Sequence, residues 1–296
     1  MPPALRGVVF RGSAAIGDGL LSRTQLRDGR WRRLFRDVYV ESGAEIDHTA
    51  VCAAALQHVV PDGVITGVSA AHLYGVVLSA ATAPVELLLP VPHGPVSGLA
   101  LHHGSVAADD VRTVHGLRTA VPVRAVWDLV RHRPVLDAMP YIDQFLRARL
   151  LGTAEIEAYA AEHRGEPGSV RLVDAARLGD PGAESPPESR CRVLLVQGGV
   201  PKPVTQHVIT DGGRFVARAD MAWPEYQVAL EYDGFAFHSD REALSRDRVR
   251  LNRQIASGWC VVHVTGDRLR TDPNGVVVEV LTALRSRGWP SRPRLS

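Results

Sequence analysis

Along the last third of the chain apolar residues recur at every second position, the period of a β-strand. Residues 204–210 read as one strand, turned at Asp211-Gly212-Gly213 into a second that carries Asp220. Trp223-Pro224-Glu225 breaks the pattern, and a third strand follows over 228–233. In the second strand Phe215, Ala217, Ala219 and Met221 line one face, and Val216, Arg218 and Asp220 the other. In the third, Val228, Leu230 and Tyr232 lie opposite Ala229, Glu231 and Asp233. A hairpin closing around 224–227 sets Asp220 across from Glu231. The near-continuous apolar run 260–265 predicts a fourth strand. Helices are expected from Ser185 to about 197, stopped by Gly198-Gly199, over 240–257 behind a Ser239/Glu242 capping box, and over 273–287. The order is αβββαβα.

Earlier in the chain the patterns are shorter. Residues 20–26 and 30–34 suit two short helices and 36–40 a strand, together the outline of a winged helix-turn-helix, closed by a helix over 47–59. Helices are expected over 67–75, 122–132, 136–150 and 154–163, and strands over 85–91 and 99–103. The Pro-, Gly- and acid-rich stretch 179–187 reads as a linker. Three segments follow: a winged-helix-like head over 1–60, a mixed helix and strand part over 61–178, and an α/β part over 179–296. The fold class is α+β for the first two and α/β for the last.

Composition narrows the chemistry. A net charge of +2 over 296 residues announces no global attraction to nucleic acid. Between positions 23 and 36, however, lie Arg23, Arg27, Arg30, Arg32, Arg33 and Arg36, with Trp31 among them. Guanidinium groups suit phosphates and guanine edges, so this is either a DNA-facing element or a solvated face. Lys202 is the only lysine, which excludes a phosphate-binding GxxxxGK[ST] loop. The three cysteines form no CxxC pair, which excludes a disulfide framework or zinc knuckle. With no signal peptide or membrane-length apolar run, the expectation is a soluble cytoplasmic protein without a membrane partner.

Asp220 and Glu231, opposed on neighbouring strands, would repel unless something positive lies between them, and a divalent metal is the simplest candidate. An exposed sheet face is the bland alternative. Glu188 stands three residues after Ser185, where it serves a capping box, catalysis, or both. Asp233-Gly234 reads equally as a turn, and His238 gains interest only from following the acidic strand.

Two resemblances follow from these motifs. The arginine-rich head ending in Asp37-Val38-Tyr39-Val40, then 70–75 (AAHLYG), 116–119 (GLRT) and 121–129 (VPVRAVWDL), resembles the abortive-infection type IV antitoxin-like family. That resemblance implies a winged-helix DNA-binding head. The acidic αβββαβα order, with Glu188-Ser189-Arg190, Asp220, Glu231-Tyr232-Asp233-Gly234, His238, Asp247 with Arg250, Gly258-Trp259 and Val264-Thr265, is similar to small bacterial domains allied to very-short-patch repair endonucleases, of restriction-endonuclease-like fold. It implies a Mg²⁺- or Mn²⁺-dependent phosphodiester hydrolase acting on DNA, with Asp220, Glu231 and the Tyr232 carbonyl on the metal. Glu188, Asp233 and His238 would join Asp220 and Glu231 in catalysis. A homodimer suits an enzyme that cuts both strands. Such endonucleases usually carry lysine two residues after the second acid, where this chain has Asp233. A non-catalytic DNA-binding regulator on a degenerate nuclease fold is therefore the rival expectation.

Overall fold

A computed structural model of the chain describes residues 2–80, 82–234 and 241–290, without the side chains of 241–248. The expected capping box at Ser239 and Glu242 and the candidate His238 lie outside the described residues. The chain divides into two compact units, one of residues 1–133 and 155–172, the other of 134–154 and 173–296. The expected head and most of the expected middle segment thus share one unit, while residues 134–154 and 173–178 of the middle segment belong to the second.

The first unit opens with β1 (Phe10–Arg11), α1 (Gly12–Gly17), β2 (Trp31–Phe35) and β3 (Val38–Glu41). The three strands form an antiparallel sheet in the order β1-β3-β2. Here the structure corrects the helices expected over 20–26 and 30–34. The first shrinks to a single 3₁₀ turn, Gln25–Arg27, and the second is strand β2. Trp31 and Phe35 are both buried, but a bulge between Arg33 and Phe35 puts them on opposite faces of the sheet, Trp31 level with Glu41 and Phe35 with Val38. Trp31 meets Phe10 of β1 edge-on at 5.0 Å, so tertiary packing decides the local form.

After α2 (His48–His58), capped by Asp47, come β4 (Val64–Ile65), α3 (Gly67–Leu73), β5 (Val85–Leu89), β6 (Leu99–His103), β7 (Val111–Val114), β8 (Leu117–Ala120) and α4 (Pro122–His132). The second sheet has the order β6-β5-β4-β8-β7. Strands β4, β7 and β8 are additions to the sequence reading. The β7–β8 turn is His115-Gly116, both at positive φ, as a two-residue hairpin whose twist matches its strands requires. Beneath this sheet Arg124 is buried between Asp110 and Asp128, at 3.0 and 3.2 Å.

Helices α5 (Val135–Arg147), α6 (Thr153–Glu162) and α7 (Ser169–Leu178) follow. The second unit continues through α8 (Pro186–Gln197), β9 (Val204–Asp211), β10 (Arg214–Trp223), β11 (Val228–Asp233), α9 (Arg241–Ala256), β12 (Cys260–Thr265), α10 (Gly266–Thr271) and α11 (Pro273–Ser286). Its sheet order is β12-β11-β10-β9, with β11 and β12 parallel and the other pairs antiparallel. On one face Met221, Leu230, Val262 and Val264 close a core with Cys191 and Leu195 of α8 and Val276, Val280 and Leu284 of α11. On the other, Ala222, Ala229 and Trp259 form a smaller cluster. The architecture is mixed α/β throughout.

The segment expected as a linker is anchored. Asp180 N–H donates to Asp143 of α5 at 2.9 Å, the Asp180 carboxylate accepts from Gly182 N–H and Thr205 Oγ1 at 2.8 Å each, and Gln144 Nε2 donates to Ala183 O. Asp143 also accepts two bonds from Arg192 of α8, at 3.0 and 2.7 Å, with both side chains fully buried. No helix among the described residues is long and apolar enough to cross a membrane.

Candidate active site

The site grows from the β10–β11 pairing. Met221 pairs with Leu230, Ala222 with Ala229 and Trp223 with Val228. One step further along the same register, Asp220 stands level with Glu231. Regular pairing stops there, and the Asp220 carboxylate instead accepts the Tyr232 N–H at 2.7 Å through Oδ2. Burial raises the Asp220 pKa above the usual carboxylate range; the Tyr232 N–H works against that, and the Glu231 charge adds to it. The expected electrostatic conflict between the two acids is therefore present.

Their surroundings divide them. Glu231 is 5% exposed, and both of its oxygens are taken by α9: Arg250 Nη2 donates to Oε2 at 2.8 Å and Gln254 Nε2 to Oε1 at 2.6 Å. Arg250 and Gln254, one helical turn apart, form a clamp on this carboxylate. Asp220 faces the other way in its contacts. Gln206 of β9 lies between the pairs Ala219↔His207 and Met221↔Thr205, level with Asp220, and its side chain hydrogen-bonds that acid. The same amide donates through Nε2 to Glu188 Oε2 at 3.1 Å. Glu188 and Asp220, residues 32 apart in sequence, thus share one amide.

Glu188 also performs the capping task. Its Oε2 accepts from Glu184 N–H at 3.0 Å and its Oε1 from Ser185 Oγ at 2.7 Å, while Ser185 caps α8 by accepting from Glu188 N–H. Asp233 is exposed and pairs with His263 of β12, whose Nδ1 lies 3.2 Å from Oδ2. The Tyr232 side chain packs against the α8/α11 core.

Gln206 was not foreseen. It holds φ +52° inside a strand, a left-handed conformation that costs a non-glycine residue on the order of 1–3 kcal/mol. Its Oε1 is buried with no hydrogen-bond partner, while the amide nitrogen serves the carboxylates. A glutamine in a polar strand carries no sequence signal for such a role. Gln254 and Arg250 do carry one, a fourfold helical spacing opposite an acidic strand.

Among the described residues no group of three or more His, Cys, Asp or Glu converges as a metal-binding set. The donors present nonetheless fit a hard cation on the Asp220 side. There acceptors outnumber donors, and Gln206 Oε1, on the amide that links Asp220 and Glu188, is buried and unsatisfied. Glu231 fits less well, since it joins a metal only by releasing Arg250 or Gln254. The six head arginines are all exposed. Arg30 pairs with Asp28 at 3.0 Å and Arg32 donates to Ala44 O at 3.3 Å.

Comparison with known proteins adds relatives of undetermined role. The chain is 29% identical over 213 residues to two uncharacterized proteins of Mycobacterium tuberculosis, from strains CDC 1551 / Oshkosh and ATCC 25618 / H37Rv. The match covers 72% of this chain and 78% of each relative. No family model and no solved structure matches it.

Proposed function

We propose that the second unit is a metal-dependent phosphodiesterase of restriction-endonuclease-like fold, acting on DNA that the arginine-rich head of the first unit engages. The single observation that carries this reading is the half-buried Asp220, its pKa raised, beside Glu231 and joined through the strained Gln206 to Glu188. A carboxylate pair held against its own repulsion is a feature of sites built for charge rather than stability.

Asp220 and the Tyr232 carbonyl would hold Mg²⁺ or Mn²⁺, with the Gln206 Oε1 as a further oxygen donor. Bound there, the cation would supply Lewis-acid stabilisation of phosphoryl oxygens and a more acidic water. Glu188, fixed by Ser185 and Gln206, would orient that water. Asp233, paired with His263 at 3.2 Å, would stand where other endonucleases carry lysine. Glu231, held by Arg250 and Gln254 of α9, would set the field on Asp220 rather than bind the metal directly.

Supercoiled plasmid incubated with the protein and Mg²⁺ or Mn²⁺ tests this. Nicking that EDTA stops, and that Asp220→Ala lowers by at least about a hundredfold, is expected. Wild-type protein that never nicks would overturn it. One observation favours a second reading, a non-catalytic DNA-binding regulator: the Arg250/Gln254 clamp occupies the acid that would complete the metal site. Salt-dependent DNA binding that survives Asp220→Ala with Glu231→Ala, without cleavage by the wild type, would select it.

A further inference from the structure

The first unit contains a cavity of about 740 Å³ that the reading above leaves unused. Its walls come from the C-terminal half of β2 and the residue after it, the end of α2, and the loop 93–97. The charged groups around it are all basic or potentially so: Arg33, Arg36, His58 and His93. No carboxylate lines it. Neither Arg33 nor Arg36 has an ion-pair partner among the described residues, although three other head and α4 arginines, Arg30, Arg124 and Arg131, each have an aspartate. His58 presents a second unsatisfied group, its Nε2 buried without a hydrogen-bond partner. Leu34, Phe35, Val59 and Val96 supply apolar wall beside these polar groups.

Unpaired guanidinium groups in a concave wall focus positive potential into the hollow, and their planar donor forks match phosphate oxygens. A few convergent polar groups on an otherwise apolar lining of several hundred Å³ is the composition of a small-ligand site. Bare phosphate would leave most of this volume empty. We propose that this cavity binds a small phosphate ester of nucleotide size, with Arg33 and Arg36 on the phosphate and the Leu34–Val59–Val96 wall against the organic part. Arg33 and Arg36 then belong to a ligand site, distinct from the surface formed by Arg23, Arg27, Arg30 and Arg32.

Titration of adenosine monophosphate into the full chain, followed by calorimetry, tests the proposal, with adenosine, inorganic phosphate and a short DNA duplex as parallel probes. Saturable binding of the nucleotide is expected, competed by inorganic phosphate and not by adenosine. Arg33→Ala and Arg36→Ala are each expected to weaken it about tenfold or more, the cost of one charge-assisted contact. Arg23→Ala is expected to leave it unchanged. Both substituted arginines are exposed, and a melting curve matching wild type shows that the fold is kept. No saturable binding at millimolar nucleotide would overturn the proposal. So would binding indifferent to both substitutions, or a duplex that binds through Arg33 and Arg36 while the nucleotide does not. None of these readings depends on cleavage by the second unit.

Discussion

At the scale of the residue, the account rests on groups held in unfavourable states. Asp220 has its pKa raised by burial first and by Glu231 as well, against the pull of Tyr232 N–H. A carboxyl whose folded pKa lies above its unfolded value favours the native state when protonated. That contribution is full below the ordinary aspartate range and is lost as pH rises through the raised value. Asp220→Asn keeps an acceptor for Tyr232 N–H and removes the charge. It should therefore melt higher than wild type at pH 7, with the difference vanishing near pH 3, in parallel thermal scans. A lower melting temperature at pH 7 would mean that the charge is stabilising and the conflict absent. His102 gives the opposite sign. Burial, and then the neighbouring His132 stacked at 3.8 Å, pull its pKa down to about 4. Its native contribution is present above the ordinary histidine range and is lost as pH falls from about 6.5 towards 4. His102→Phe should flatten the stability of the protein across that window in pH-stepped denaturation. The sequence pattern does not distinguish this site, because a histidine in a strand looks the same whether its partner is water or another ring.

At the scale of the element, helix starts were the most legible features. Ser185 accepts an N–H of the first turn of α8 as expected, and the helices expected from 47 and 273 begin where Asp47 and Asp272 cap α2 and α11. The paired acids were legible for the same reason: a period of two and a short turn leave a single register. What failed was the short arginine-rich stretch, where a bulge between Arg33 and Phe35 interrupts the period of two that would mark a strand. What could not be seen was Gln206, since a left-handed residue in a strand is set by tertiary contacts. A buried glycine supplies a test at this scale. Gly67 starts α3 at φ +54°, and a Cβ there would fall onto Glu86 Oε2, which accepts the Val68 N–H at 3.0 Å and binds Arg133. Gly67→Ala should cost more than the roughly 1 kcal/mol of a simple backbone penalty, because the Glu86 carboxylate must leave buried donors behind. Urea titration reads this directly, and a loss under that figure would show that Glu86 moves freely.

At the scale of the molecule, composition pointed to a break at 179–187 that the fold does not make. Proline and glycine mark tight turns as well as linkers, and here Asp180 ties the segment to α5 and β9. Helix α5 carries Asp143, whose only ion-pair partner among the described residues is the equally buried Arg192. A fragment of residues 179–296 would leave Arg192 without that partner, a loss on the order of 3–5 kcal/mol. It should lack a cooperative melting transition, whereas a fragment of residues 134–296 should show one. Equal cooperativity in the two fragments would refute α5 as part of the second core. Arg192→Leu in the full chain should produce a loss of the same order. These residues are far apart in sequence, and no local pattern joins them.

The central claim concerns where charge is gathered in the second unit. A crystal soaked in Mn²⁺ and measured for anomalous scattering tests it most directly. The account predicts a peak beside the Asp220 carboxylate, within reach of the Tyr232 carbonyl and Gln206 Oε1, with Arg250 still on Glu231. Mn²⁺ absent from Asp220, or bound only elsewhere on the chain, would contradict it.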